Sequence, residues 1–427
     1  MPDFSYLATV IVPIYNSEKF LKNCIDSIIC QTADLSKIQV LMINDGSTDT
    51  SETICKNYCK KYDNFFFISK ENEGLSKTRN RGLKEAEGKY IFYLDSDDSL
   101  RKDTIKSVTD FFDTVYDEVD LVTYRITQYY NGRPKLVHYR YKTLIKSGVY
   151  DLNLPENAFI TQTNINICVK NRGEKNILFD FTENFKHEDE KYCCDVLSEK
   201  MKIGFCADGE YIYNRNNENS IVSSSFSPDI VFDAATEFYE KLFSRYAYKV
   251  PPYFQGIVFN DLRWKFKEEK LYPTKYNDAE LGSAHKRIAA LLERIDTDII
   301  IKHPTVTAEH IHYWLNLKPN CSPAALTFPK SVCVFADGTR ILNEHSFKAK
   351  VKDGKAVIKS PVFTYLNKSQ YSVEFDCGDK KIMVDSFDNY SDGVLNFPEF
   401  KLPDVIPQNS KAYLIINLQR YKLDLIK

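Results

Sequence analysis

The chain is predicted to open with an α/β domain on a mostly parallel sheet, continue through a helical stretch and end in a small all-β, sandwich-like part. Three observations carry this. Over the first hundred residues, short apolar runs alternate with amphipathic ones in β-α-β-α-β-α-β order. In the middle of the chain, apolar positions such as Phe232, Ala235, Phe238 and Leu242 recur at helical spacing. From Phe328 onward, short β-rich segments are punctuated by Asp337-Gly338, Asp353-Gly354, Cys377-Gly378-Asp379 and Ser391-Asp392-Gly393. The expected domains are therefore residues 1–225, 226–325 and 326–427.

Ala8–Val12 is an almost continuous apolar run ended by Pro13, as expected of a strand buried on both faces. Asn16 or Ser17 can cap the next helix, whose stripe is Phe20, Leu21, Cys24, Ile25, Ile28 and Ile29. Ile38–Ile43 is a second strand. It runs into Asn44-Asp45-Gly46-Ser47-Thr48-Asp49, where Asp49 and Glu52 have capping-box spacing. Phe65–Ile68, a helix from Leu75 to Glu87 with Gly82 on its buried face, and the strand Tyr90–Leu94 complete the repeat. In such a sheet ligands sit outside the carboxyl ends of the strands, so the loops at Tyr15–Asn16, Asp45–Asp49 and Asp95–Asp98 converge on one edge. Beyond them, Val119–Ile126 and Leu136–Tyr141 flank a turn at Asn131-Gly132-Arg133-Pro134 and read as a hairpin. His187–Lys200 reads as a helix, Ile203–Ala207 and Tyr211–Tyr213 as short strands, and Asn214–Ser225 as a loop.

Lys plus Arg number 57 and Asp plus Glu 59, a near balance that gives no electrostatic reason to expect nucleic acid as a partner. The opening MPDFSYLATVIVPIYN lacks a basic then apolar leader, so no secretory signal is expected. No apolar run approaches the roughly 18 residues of a spanning helix. The eleven cysteines show no CxxC pairing and read as small buried hydrophobes in a cytoplasmic protein. Trp264 with Lys265, Phe266, Lys267 and Lys270 offers a peripheral membrane patch, although a packed helix with snorkelling lysines explains the same residues.

The chemistry-bearing segments lie in the first half. Asp95-Ser96-Asp97-Asp98 follows a core strand, and carboxylates there can hold Mg²⁺ or Mn²⁺ together with substrate phosphates. An acidic turn capping the next helix through Asp98 or Ser99 is the plain alternative. The first loop has no glycine pattern for a dinucleotide and no Walker A sequence, which excludes dehydrogenase and P-loop readings. Tyr15 offers an aromatic face for a base and Asn16 amide hydrogen bonds, while packing and capping use them equally well. Asp45 can accept the imide N–H of uracil, or form an Asx turn with Gly46. Asn72 through Gly82 opens a helix whose N-terminus attracts anions, with Arg79 as a fork for phosphate or base, or as a surface arginine. His187-Glu188-Asp189-Glu190 starts a helix, where acidic residues suit the dipole and one of them can serve as a general base.

Taken together these segments resemble the family 2 glycosyltransferases of bacterial cell-surface polysaccharide synthesis, which have the GT-A fold. The resemblance rests on Val10 through Asn16, Asn44 through Ser51, Asn72 through Gly82 and Gly88 through Asp98, in that order. It implies that Pro13, Tyr15, Asn16, Asp45, Asn72 and Arg79 line the nucleotide site. Asp95 and Ser96 are implied to meet the donor, Asp97 to bind Mn²⁺ or Mg²⁺, and Asp189 to act as base. Arg215 and Ser220 are the nearest match to a segment beside the diphosphate. The implied reaction is inverting transfer from a UDP-sugar (GlcNAc, GalNAc, Glc or Gal) to a glycan, teichoic-acid-like or lipid-linked acceptor, at the inner face of the membrane. The C-terminal β part is expected to mediate oligomerisation or glycan contact. A sugar nucleotidyltransferase lacks support because its glycine-rich basic loop is absent. A non-catalytic sugar-binding protein stays open.

Overall fold

The computed structural model describes residues 4–131, 133–137, 139–181, 187–216, 233–267, 278–306, 308–321, 333–334, 341–342, 347–360, 363, 368–391, 396–407, 409–416 and 419–426. The chain divides into two compact units, Met1–Ile257 and Val258–Lys427.

The first unit is built on one mixed sheet. Its opening elements are β1 (Tyr6–Ile14), α1 (Leu21–Ile29), β2 (Ile38–Asp45), α2 (Ser51–Cys59), β3 (Phe65–Lys70), α3 (Leu75–Lys84) and β4 (Gly88–Tyr93). β5 (Ser99–Leu100), α4 (Thr104–Thr114), β6 (Leu121–Tyr130), β7 (Arg133–Val137), β8 (Gly148–Asp151), β9 (Ile167–Lys170), α5 (Glu188–Leu197), β10 (Lys202–Asn214) and α6 (Ala234–Ser244) follow. The strand order is β3-β2-β1-β4-β9-β6-β10-β5. The first four strands are parallel, as is the β6–β10 pair, whereas β9 runs antiparallel to both β4 and β6. The β6–β7 pair is the expected hairpin.

The chain leaves β1 toward β2 and β3, then returns to the other side of β1 as β4. The crevice therefore opens at the carboxyl ends of β1 and β4, where a doubly wound sheet receives its ligand. Local chemistry widens it. The Ile11 carbonyl accepts Leu94 N at 3.0 Å, so Ile11 faces β4. Pro13, two residues on, faces the same side, but there β4 has ended and the missing proline N–H leaves no ladder bond unmade.

Gly82 makes the helix–sheet contact that the sequence implies. A Cβ there would lie 2.5 Å from Ile11 Cγ2, and Ile11 is wholly buried. Gly82→Ala is therefore expected to destabilise the first unit by about 1–2 kcal/mol, overpacking outweighing the gain in helix propensity. Urea unfolding followed on that unit checks this, and equal or higher stability contradicts it.

Two capping expectations fail for a nonlocal reason. Neither Asn16 nor Ser17 caps α1 with its side chain. The capping box within Asp49–Glu52 is not formed, because Glu52 pairs with Lys56 on its own helix. Glu18 from the β1 loop takes that place, accepting Thr50 N at 3.0 Å while its own N–H reaches Asp49 Oδ2 at 3.0 Å. The two short strands expected at 203–207 and 211–213 are one strand, β10, whose register shifts between Cys206 and Glu210.

The second unit holds α8 (Asp278–Glu293), α9 (Thr297–Ile301) and α10 (Ala308–Leu317), with α7 (Pro252–Lys267) running into it from the first. Short β11 (Cys333–Val334) and β12 (Ile341–Leu342) pair with each other. The remaining strands are β13 (Phe347–Lys352), β14 (Lys355–Ile358), β15 (Tyr371–Asp376), β16 (Lys381–Val384), β17 (Asp388–Ser391), β18 (Asn396–Lys401), β19 (Lys411–Ile416) and β20 (Gln419–Ile426). They form one sheet in the order β16-β15-β19-β20-β13-β14-β18-β17. In a flat sheet β15 and β18, five steps apart, would be separated by about 24 Å. Yet the rings of Phe375 and Phe400 lie 6.5 Å apart, so the sheet folds over its own core in sandwich fashion.

Among the described residues no helix is long and apolar enough to cross a membrane. The side chains of Trp264, Lys265, Phe266 and Lys267, and all of Lys270, lie outside the described residues, as do Ser220 and residues 217–225 of the expected loop.

Candidate active site at the carboxyl edge of the sheet

The β1 and β2 loops are laced together. Asn16, at φ 47°, accepts Thr48 N at 2.8 Å through its side chain, and its own N–H reaches Ser47 Oγ at 3.0 Å. A short asparagine side chain tolerates that left-handed backbone, which lets the chain turn sharply out of β1. The next residue ties the β1 loop to the β4 loop: the hydroxyls of Ser17 and Ser96 share a 2.6 Å hydrogen bond, both residues buried. Tyr15 projects beside them, 52% exposed. Pro13 is buried within β1, opposite Ile43.

Asp45 does not form an Asx turn with Gly46. Its carboxylate accepts Glu73 N and Gly74 N, each at 2.9 Å, and pairs with Lys70. It thereby anchors the loop that leads into α3 and carries exposed Asn72. Gly46, at φ 73°, is required at this approach, since a Cβ would meet Asn72 N at 2.9 Å.

Arg79 is no surface arginine. It is 1% exposed, with its guanidinium 5.2 Å from the Phe179 ring centroid. α3 packs its Gly82 face on β1, and Arg79, one turn nearer the helix N-terminus, points along the sheet toward the crevice. One guanidinium nitrogen donates to Asp189 Oδ1 at 2.6 Å and the other to Asp95 Oδ1 at 3.0 Å; Glu188 Oε1 stands 3.8 Å away. Its Nε is buried with no hydrogen-bond partner. One cation thus holds together carboxylates from β4's end and from α5's first turn, and Asp189 lies 110 residues from Arg79 in sequence.

The floor beneath is aromatic. Asn80 exchanges two 2.8 Å hydrogen bonds with the backbone of Phe179. Phe179 stacks on Tyr192 at 4.0 Å, and the Tyr192 and Tyr93 hydroxyls bond at 2.7 Å. This cluster fixes the start of α5, and with it Asp189.

Among the described residues, charge is unbalanced here. One guanidinium faces Asp95, Glu188 and Asp189, with Asp97 and Asp98 close by. Burial pushes the Asp189 carboxyl up, to about 7; the guanidinium opposes the rise and Glu188 and Asp95 add to it. The side chain remains 27% exposed, so an incoming group can reach it. Asp98 is pushed well above the usual carboxylate range, first by burial and then by Asp97 and Asp95.

Asp98 does not fit the helix-capping alternative. It caps no helix: α4 begins only at Thr104, and Asp98 accepts the Tyr211 hydroxyl and Asn214 N, both at 2.7 Å. The same Tyr211 oxygen accepts Asp95 N at 3.2 Å, so β10 braces the acidic loop. Tyr211 and Asn214 were legible only as an alternating strand and its end. Arg215 lies just beyond, its guanidinium 5.4 Å from the Tyr213 ring centroid.

The acidic run fits a divalent cation. Its donors are carboxylate oxygens, hard ligands suited to Mg²⁺ or Mn²⁺, and after burial Asp97 and Asp95 are what raise the Asp98 carboxyl. Asp98 is committed to β10 and Asp95 to Arg79, and Asp97 between them is partly exposed.

A family model described as "Glycosyl transferase family 2" matches residues 9–170, spanning the β1, β2 and β4 loops and α3. Residues 9–170 are a glycosyl transferase family 2 domain. Among curated relatives, the minor teichoic acid biosynthesis protein GgaB of Bacillus subtilis is 33% identical over 322 residues, which are 74% of this chain and 35% of GgaB. The chain thus spans about a third of that relative's length. The GT-A fold of the family 2 domain is shared with S. aureus TarS residues 1–349, solved with UDP-GlcNAc, at 20% identity and a TM-score of 0.56 over 73% of this chain and 87% of that one. The longer TarS structure gives a TM-score of 0.56 at 16% identity, covering 98% of this chain and 78% of TarS.

Proposed function

We propose that the family 2 domain transfers a sugar from a UDP-sugar to a hydroxyl of a cell-surface polymer, in one displacement that inverts the anomeric carbon. The observation that carries this is Arg79 joining Asp189 to Asp95 at the carboxyl edge of β1 and β4. A base and a donor-side carboxylate are thereby held in one crevice.

Asp189 takes the proton of the acceptor hydroxyl as its oxygen bonds to the anomeric carbon, and the bond from that carbon to the diphosphate breaks. Asp95 and Ser96 orient the donor, Tyr15 stacks on the base, and the loop anchored by Asp45 closes the nucleotide side. Both oxygens of Asp45 already accept backbone N–H groups, so its part in binding uracil is chiefly to shape the loop that carries Asn72. Arg215 lies at the end of β10 beside the acidic loop and is proposed to meet the diphosphate. A divalent ion held through Asp97 would offset the charge of the departing nucleoside diphosphate.

UDP-GlcNAc, the ligand in the TarS structure, is the first donor to test, and a polymer of the teichoic-acid kind named for GgaB is the first acceptor. The buried free thiols support a reducing, cytoplasmic setting. A panel of nucleotide sugars with Mn²⁺ tests the reading: slow release of UDP from one donor is expected, and no release from any donor refutes it. Asp97→Ala is expected to abolish the strengthening of UDP binding by Mn²⁺. Calorimetry that finds the same strengthening in the variant removes Asp97 from this role.

A further inference from the structure

A groove of about 480 Å³ runs along α3. Lys77, Arg81 and Lys84 line it from three positions on one helix face, about 10 Å from first to last. Leu178 and Phe181 form the opposite wall, 46% and 60% exposed. The Lys77 ammonium sits 5.5 Å from the Phe181 ring centroid. Lys70 closes one end, already paired with Asp45.

The charge of this groove departs from that of the chain, which is nearly neutral. Four cationic side chains line it against one carboxylate, Glu73, which stands 3.4 Å from both Lys70 and Lys77. Arg81 pairs with Glu85 at 2.9 Å, and Lys84 pairs with no carboxylate among the described residues. Leu178 and Phe181 are large apolar groups left open beside these charges. A partner with spaced anions and a carbon backbone complements both features; a neutral glycan answers only one of them.

The groove also shares its walls with the reaction centre. Asn80 lines it and holds Phe179, whose ring lies under Arg79, and Leu178 is the next residue along. A chain lying in the groove therefore runs past the segment that positions the base. We infer that this groove binds the phosphodiester backbone of a polyanionic acceptor, its phosphates on Lys77, Arg81 and Lys84 and its carbon chain against Leu178 and Phe181. This rests on the transferase reading above and adds to it the surface that recognises the acceptor.

The test uses the full chain and a labelled synthetic oligomer of polyol phosphodiesters, with an uncharged polyol of equal length as control. The protein is expected to bind the oligomer, more weakly as salt rises, and to ignore the control. A triple variant, Lys77→Gln, Arg81→Gln and Lys84→Gln, is expected to bind the oligomer about tenfold more weakly and to keep its affinity for UDP with Mn²⁺. Equal oligomer binding by variant and wild type overturns the inference. So does a variant that loses binding to anionic lipid vesicles while keeping the oligomer. Loss of the transferase reading shows up separately, as oligomer binding that depends on the three residues in a protein that binds and cleaves no nucleotide sugar.

Discussion

Asp189→Asn is expected to leave donor affinity nearly unchanged and to slow transfer by about a hundredfold or more. The substitution is close to isosteric, and the amide oxygen can still accept the Arg79 hydrogen bond, so the helix start and the aromatic floor stay in place. What is lost is the group that takes the acceptor proton. The pH dependence carries an independent signature. Burial raises the Asp189 carboxyl to about 7. A base works only when deprotonated, and a raised pKa keeps the proton on up to higher pH. The wild-type rate should therefore fall about tenfold per pH unit below roughly pH 7, on a limb far above the value of about 4 for an ordinary aspartate. The residual rate of the variant should lack that limb. Wild-type turnover in the variant, or a wild-type acidic limb centred near 4, removes Asp189 from the base role.

The elements legible in the sequence share one property: their signal is local. β1 and β2 read as continuous apolar runs because both faces are covered, and Gly82 marked a close helix contact that Ile11 supplies. The failures share the opposite property. Asp49 and Glu52 have the spacing of a capping box, but the acidic partner comes from Glu18 across a loop. Asp98 looked like a helix cap and instead receives Tyr211 and Asn214, more than a hundred residues later. Glu188, Asp189 and Glu190 are what any helix N-terminus favours, so composition alone gave them no chemistry. Their meaning comes from Arg79, which could equally have been a surface residue. β10 read as two strands because its register shift interrupts the alternation on which such readings depend.

Arg79→Met offers the sharpest test of how the site is held together, because it removes a guanidinium that three carboxylates share. Breaking a buried ion pair from one side costs about 3–5 kcal/mol, since the partner charges are left uncompensated. That loss is expected in the unfolding of the first unit at pH 8. Its pH dependence follows from linkage. Without the guanidinium that opposes its rise, Asp189 faces Glu188 and Asp95 uncompensated and holds its proton to still higher pH in the folded state than in the unfolded chain. A carboxylate whose folded pKa is raised contributes destabilisation that grows as pH climbs through and beyond the unfolded value near 4. The deficit should therefore shrink at pH 5, where Asp189 is protonated. Arg79→Lys separates charge from geometry. An ammonium offsets the repulsion and should recover much of the stability, yet a point charge cannot bridge Asp95 and Asp189 in two fixed directions, so transfer should remain impaired. A loss below about 1 kcal/mol at pH 8, or one equally large at pH 5, would mean that these carboxylates are not held by Arg79.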